Sequence, residues 1–296
     1  MKRVFVIVGP TGVGKTKLSI ELAKRCSGEI INADAMQVYK GLNIGTAKIS
    51  EKEKEGVCHH LFDIKDVSDD YSIYQYQRDC RNVIEEIFKR GHTPILVGGT
   101  GLYIKSALYD YQLDENHHIN SYDDLSTDEL YHLLLRKDKD IEGYIDKNNR
   151  RRIINAICYY DSHSESIRYN KTNKLLYDVV FIGLTTDRER LYSIINQRVD
   201  EMISNGLVEE VKYFYDKKIF SKPLLGGIGY KELYQYFDGN IQLEEAISFI
   251  KRNSRRYAKR QYTFFNHQMP VKWFQTDYDC FDNTVRDVLN YIDNLS

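Results

Sequence analysis

Arg3–Val8 (RVFVIV) runs straight into Gly9-Pro10-Thr11-Gly12-Val13-Gly14-Lys15-Thr16, and Leu18, Leu22 and Cys26 then recur at helical spacing. A short β-branched apolar run, a glycine-rich loop and an amphipathic helix in that order form a strand–loop–helix unit. The octapeptide fits G-x4-G-K-[ST]. Its glycines let backbone N–H groups point into one concavity, and the helix N-terminus adds positive dipole. Lys15 supplies a point charge for phosphate oxygens, and Thr16 a hydroxyl for Mg²⁺. This is a cradle for a nucleotide such as ATP or for another diphosphate.

Further strands are expected at Glu29–Ala33, Ile95–Val97 and Val179–Leu184, with helices at Lys15–Cys26, Tyr74–Arg90, Arg188–Tyr215 and Leu243–Phe265. Gly91 is placed as a C-cap glycine. Strands alternating with helices imply an α/β fold: a P-loop-type parallel sheet flanked by helices. Between Tyr109 and Asn149 aliphatic strands vanish and acidic residues dominate, with a short helix at Asp128–Arg136. A mostly helical insertion domain is therefore expected. The organisation reads as a first part of the core at 1–109, a helical insertion at 110–150, and the rest of the core at 151–296.

The 296 residues are 42% hydrophobic and 29% charged with a net charge of −1, as in a soluble globular protein and unlike a polycation. Any nucleic-acid contact must then rest on local basic patches. Val4–Val8 is too short for a signal-peptide core, and no run approaches the ~20 apolar residues of a membrane span. Cys26, Cys58, Cys80, Cys158 and Cys280 are scattered without a CxxC pair, which suits reduced thiols in the cytoplasm.

The acidic companion of a nucleotide-hydrolysing phosphate loop is missing: Ile95–Val97 ends in Gly98-Gly99-Thr100, and Asp187 reads as a helix start. Asp34 follows the second strand, on the rim where strand carboxyl ends gather. Two readings stand for it, a proton acceptor and a loop carboxylate making a turn hydrogen bond. Thr100 lies on the same rim, as a donor to a diphosphate or as a helix cap. His59-His60 lacks a partner at metal-ligand spacing and reads as a pair of structural or exposed histidines. Lys251–Tyr262 (KRNSRRYAKRQY) contains no acid; Arg252, Arg255, Arg256, Lys259 and Arg260 would form a positive stripe, either solvated or facing an anionic partner. Arg150-Arg151-Arg152 is a second basic cluster.

These residues together resemble the tRNA dimethylallyltransferase (isopentenyltransferase) family. The matching segments are GPTGVGKT at 9–16, ADAMQVYKGLNIGTAK at 33–48, HHLFDI at 59–64 and ILVGGTGLYIKS at 95–106, followed by DRERLYSIINQRVDEMISNGLVEEV at 187–211, GIGYKEL at 227–233 and KRQYTFF at 259–265. The resemblance implies transfer of a dimethylallyl group from dimethylallyl diphosphate to N6 of the adenosine at position 37, beside the tRNA anticodon. The target base must be flipped out to reach such a pocket. It implies Asp34 as general base, Lys15 and Thr100 at the reacting centre, Gly9–Thr16 and Arg198 on the diphosphate, and Thr16 with Mg²⁺. Contacts to the tRNA anticodon stem-loop are implied for Asp34, Ala35, Met36, Gln37, Thr100, Arg151, Arg152, Ile153, Ile154 and Asn155, in a monomer without membrane contact. The chain departs from the family pattern at Asn155, Phe264 and Asn266, positions that bear on RNA contact rather than on the chemistry.

A small-molecule kinase resembling shikimate or gluconate kinases is the alternative. Such enzymes share the phosphate loop and the carboxylate after the second strand, but they are shorter and leave 187–265 unexplained. A nucleotide-switched binding module would need switch threonines and a base-specificity motif, and neither is present.

Overall fold

In the computed structural model, which describes residues 2–111, 113, 122–169 and 173–295, each apolar run expected as a strand is one. The first part of the core runs β1 (Arg3–Val8), α1 (Lys15–Arg25), β2 (Gly28–Asn32), α2 (Glu51–Lys54), β3 (His59–His60), α3 (Ile73–Lys89), β4 (Thr93–Val97) and α4 (Gly101–Leu108). Helices α5 (Thr127–Lys137) and α6 (Arg150–His163) follow. The chain then continues with β5 (Asp178–Thr185), α7 (Arg188–Ser204), α8 (Leu207–Asp216), α9 (Lys222–Gly226) and α10 (Tyr230–Phe237). Last come α11 (Leu243–Gln268), β6 (Lys272–Gln275) and α12 (Phe281–Asp293).

The six strands form one sheet in the order β3-β2-β4-β1-β5-β6, and every pairing is parallel. Central β1 registers Phe5 on Ile95 and on Val180, and Val4, Val6, Ile7 and Val8 are fully buried. Such two-sided burial is why the strands read as continuous apolar runs. Parallel pairing also gathers the carboxyl ends of β1, β2 and β4 on one rim, where the site lies. No helix among the described residues is long and apolar enough to cross a membrane.

Several expectations shift. The helix expected at Arg188–Tyr215 is two helices, broken at Asn205-Gly206. Asp187 does start α7, its carboxylate accepting the Arg190 N–H at 2.8 Å. Two strands were missed: β3 is two residues long, and β6 is an edge strand with both end residues exposed. The chain divides into two units, Met1–Leu108 with Tyr177–Ser296, and Tyr109–Leu176. The second unit thus runs past the expected boundary at 150 and takes in α6. Its core joins Leu130 and Leu134 of α5 to Ile153, Ile154 and Ile157 of α6.

His60 is structural. Glu29, 4% exposed, accepts through its carboxylate from Arg90 Nε at 3.0 Å and Nη2 at 2.8 Å, with His60 Nε2 at 2.6 Å and His92 Nδ1 at 2.7 Å. Hydrogen bonds from Arg90 hold the carboxyl down at about 2 against the opposing effect of burial, with His60 and His92 assisting. Cys58 Sγ is 3.4 Å from His60 Nε2, but Arg90 and the histidines already take the Glu29 oxygens, so the cluster is an ion hub tying β2 to β3 and α3.

A carboxyl depressed in the folded state stabilises fully above its unfolded value near 4.5, and that contribution disappears as pH falls towards about 2. Glu29→Gln should cost on the order of 2 kcal/mol at neutral pH. Urea denaturation across this acid window should show a flatter pH dependence for the variant than for the parent.

Candidate active site

A cleft of about 960 Å³ opens on the rim and is lined by Gly12, Gly14, Lys15, Thr16, Asp34, Gln37 and Arg198, among others. It brings together the phosphate loop, the carboxylate after β2 and the α7 arginine, positions far apart in sequence. Lys15 Nζ donates to Gly9 O at 3.0 Å and to Pro10 O at 2.7 Å, folded back on its own loop. Pro10 has no N–H and Val13 is fully buried, so within this loop Pro10 offers only a carbonyl and Val13 only its backbone. The last part of the chain buttresses the loop: Thr276 Oγ1 donates to Val13 O at 3.0 Å, and a Cβ at Gly14 (φ +88°) would lie 2.3 Å from Phe281.

The rim loops are tied to one another. Gly98 N donates to Ile7 O at 3.2 Å, Thr100 N to Ala33 O at 3.0 Å, and Ala35 N to Thr100 Oγ1 at 3.0 Å. A Cβ at Gly98 would lie 2.2 Å from Ala33 O, so this approach requires glycine. Thr100 therefore serves the loop that carries Asp34, and its carbonyl also accepts the Tyr103 and Ile104 N–H groups at the start of α4. Asp34 makes the turn hydrogen bond as well: Met36 N donates to Oδ1 at 2.9 Å. That bond fixes the carboxylate without consuming Oδ2, which has no partner among the described residues.

Lys15 is held down at about 7, chiefly by burial and then by the Arg198 charge, with Asp34 opposing. Burial likewise lowers Arg198, against Glu201, Asp34 and Glu53. Two cations with weakened hold on their protons face one carboxylate across the cleft, a setting that favours an entering anion.

Two contributors were not anticipated. Glu210 of α8 accepts backbone N–H groups of Asn43, Ile44 and Gly45 at 3.0, 2.7 and 3.1 Å, and the Tyr230 hydroxyl at 2.6 Å. It pins the loop between β2 and α2 to the helical layer. Gln261, 5% exposed, donates Nε2 to Gly99 O at 3.1 Å and lines the cleft. Gln261 sits within the basic segment read for its charge and for Tyr262 as a stacking group, and the acid-free spacing gave no sign of its inward face.

Other expected contacts are placed differently. Ile153 and Ile154 are buried in the core of the second unit, so their side chains are packing groups, whereas Arg151 and Arg152 are exposed. On α11, Arg252, Arg256, Lys259 and Arg260 are exposed and form no ion pair among the described residues.

The IPP transferase family matches residues 37–268. The chain belongs to this family. Its relatives include the tRNA dimethylallyltransferases of Anoxybacillus flavithermus, 50% identical over 99% of this chain and 96% of the relative, and of Bacillus subtilis, 48% identical over 92% and 90%. Among solved structures, the Staphylococcus epidermidis tRNA delta(2)-isopentenylpyrophosphate transferase superposes with a TM-score of 0.76 at 37% identity, covering 99% of this chain and 100% of that one. A eukaryotic dimethylallyltransferase acting on tRNA gives a TM-score of 0.90 at 30% identity, over 99% of this chain and 79% of that one. In this IPP transferase family member, the cleft between phosphate loop and Asp34 is the candidate active site.

An anion that settles on Lys15 favours its charged form. Inorganic diphosphate should therefore bind with proton uptake, and its affinity should fall as pH rises through about 7. Isothermal titration in buffers of different ionisation enthalpy should register that uptake, and Lys15→Ala should remove the part of it that Lys15 contributes, leaving only the titration of diphosphate itself.

Proposed function

We propose that this chain transfers the dimethylallyl group of dimethylallyl diphosphate to N6 of the adenosine at position 37 of tRNA. One observation carries the reading: the Asp34 carboxylate and the Lys15–Arg198 cation pair line the same cleft. The relatives' activity on tRNA then supplies the substrates. The kinase alternative is not favoured, because a tRNA dimethylallyltransferase relative matches 99% of the chain.

In this reaction Lys15 exchanges its loop carbonyls for diphosphate oxygens, and Arg198 approaches from α7. Amides at the Gly12–Lys15 turn and the α1 N-terminus take the charge that develops as the allylic C–O bond breaks. Thr16, exposed at the start of α1 and lining the cleft, fits as a hydroxyl ligand for Mg²⁺. The ion would neutralise part of the leaving diphosphate. As the N6–carbon bond forms, the nitrogen becomes cationic and its proton passes to Asp34. Diphosphate and the prenylated adenosine are the products.

The free cationic face of α11, with Arg252, Arg256, Lys259 and Arg260, suits the phosphates of an anticodon stem-loop, as do Arg151 and Arg152 on the second unit. Ala35, Met36 and Gln37, beside Asp34, suit contact with the flipped base. One unit of a single chain lines the whole cleft, so we take a monomer as the working form.

Asp34→Asn keeps the shape and loses the proton acceptor, so kcat should fall by about 10²–10⁴-fold. Binding of dimethylallyl diphosphate should be almost unchanged. Nucleoside mass spectrometry of tRNA incubated with the parent, Mg²⁺ and dimethylallyl diphosphate should reveal the prenylated adenosine. A variant with parental kcat would remove Asp34 as the base.

A further inference from the structure

The last residue of β2 breaks its apolar run. Asn32 follows Ile30 and Ile31, pairs in register with Val97 of β4, and is fully buried. Asparagine is depleted in strands, and a buried amide is costly unless its polar atoms are paired. A local misfit of this kind marks a strained or functional position. Here both ends of the side-chain amide are engaged. Oδ1 accepts the Asp34 N–H at 2.9 Å, while Nδ2 donates to Asp34 O at 3.1 Å and to Leu61 O at 3.0 Å. Two carbonyls need the NH2 and one N–H needs the oxygen, so the amide has a single satisfied orientation.

The two peptide planes that flank the Asp34 Cα carry four polar groups, and two residues take all of them. Thr100 takes Ala33 O with its N–H at 3.0 Å and the Ala35 N–H with its Oγ1 at 3.0 Å. Asn32 takes the other two, the Asp34 N–H and the Asp34 carbonyl. A trans peptide points its N–H and C=O to opposite sides, so each plane is gripped on both edges. Turning about either backbone bond at the Asp34 Cα breaks a hydrogen bond to Asn32. The clamp is itself held from two directions. Tyr76 of α3, also fully buried, donates its hydroxyl to Asn32 O at 3.0 Å. Leu61 has φ +64°, a left-handed conformation uncommon for leucine, and Phe62 beside it lines the cleft.

We propose that Asn32 is a positioning residue for the transfer: with Thr100 it fixes both peptide planes beside the Asp34 Cα, and so sets where the carboxylate stands opposite the phosphate loop. The proposal rests on the reading of Asp34 as the proton acceptor. Asn32 has no exposed surface and does not line the cleft, so it acts through the Asp34 backbone alone. No proton moves on it. Its contribution is placement, and a reacting group displaced by about 1 Å can lose 10²-fold in rate.

The test is Asn32→Ala in the full chain, made in the parent and again in an Asp34→Asn background. Prenyl transfer from dimethylallyl diphosphate to an anticodon stem-loop is read in a single turnover. In the parent background the rate should fall about 10- to 10²-fold. The dissociation constants for inorganic diphosphate and for the stem-loop should stay within about twofold, because the cradle and the basic face are untouched. In the Asp34→Asn background the same substitution should cost less than about twofold, since no acceptor is left to misplace. Asn32→Ser keeps an acceptor for the Asp34 N–H and loses the tie to Leu61, so its rate should fall between those of parent and alanine variant. It carries the same comparison if the alanine variant does not fold. A parental rate, an equal loss in both backgrounds, or a loss matched by weaker diphosphate binding overturns the proposal and leaves Asn32 as packing. Asp34→Asn alone separates the two readings. A parental rate there defeats the base assignment, whereas a slow Asp34→Asn beside parental rates for both Asn32 variants defeats only this inference.

Discussion

Everything at the site depends on two backbone loops lying in contact, the one after β2 and the one after β4. Thr100 N–H reaches Ala33 O, Ala35 N–H reaches Thr100 Oγ1, and Ala33 N–H reaches Val97 O at 2.9 Å. These bonds extend the ladder between β2 and β4 past the ends of the strands. Asp34 thus emerges at a fixed height opposite the phosphate loop, held by backbone rather than by a side chain free to swing. A residue with a Cβ at position 98 would wedge the loops apart and turn the carboxylate away without altering any charged group.

On that frame the electrostatics are unbalanced in a useful direction. Burial loosens the hold of both Lys15 and Arg198 on their protons, and among the described residues Lys15 donates only to carbonyls of its own loop. A diphosphate offers both a better partner than those carbonyls can. Strong binding of the leaving group and reception of a proton call for opposite charges, and the fold keeps them on separate elements: cations on α1 and α7, the carboxylate after β2. All three line one cleft, where the fold has already brought them together.

How much of this was legible follows from what each signal encodes. Strands buried on both faces announce themselves, and β1, β2, β4 and β5 were all readable from Val, Ile and Leu runs. A strand of two residues carries no periodicity, and β6 alternates too briefly, so β3 and β6 were not. The phosphate loop and Asp34 could be placed because their positions follow from strand ends. Glu210 and Gln261 could not: each acts through a partner more than 150 residues away, and local spacing holds no record of such pairs. The helical segment 188–215 shows the same limit, since the amphipathic pattern continues across Asn205-Gly206 while the backbone turns there.

The dependence of the phosphate loop on residues near position 280 has a consequence for the order of synthesis. In synthesis from the amino end, Gly9–Thr16 emerges roughly 260 residues ahead of Thr276 and Phe281, which brace it. The α7 and α11 side chains that close the cleft also emerge after the loop. Until they do, the nascent chain holds an unbraced anion loop without its opposing arginine. Competence arises only after β6 has joined the sheet and α12 has folded against α1. A prematurely terminated chain would accordingly carry the complete sequence signature of a phosphate-binding protein and none of its grip.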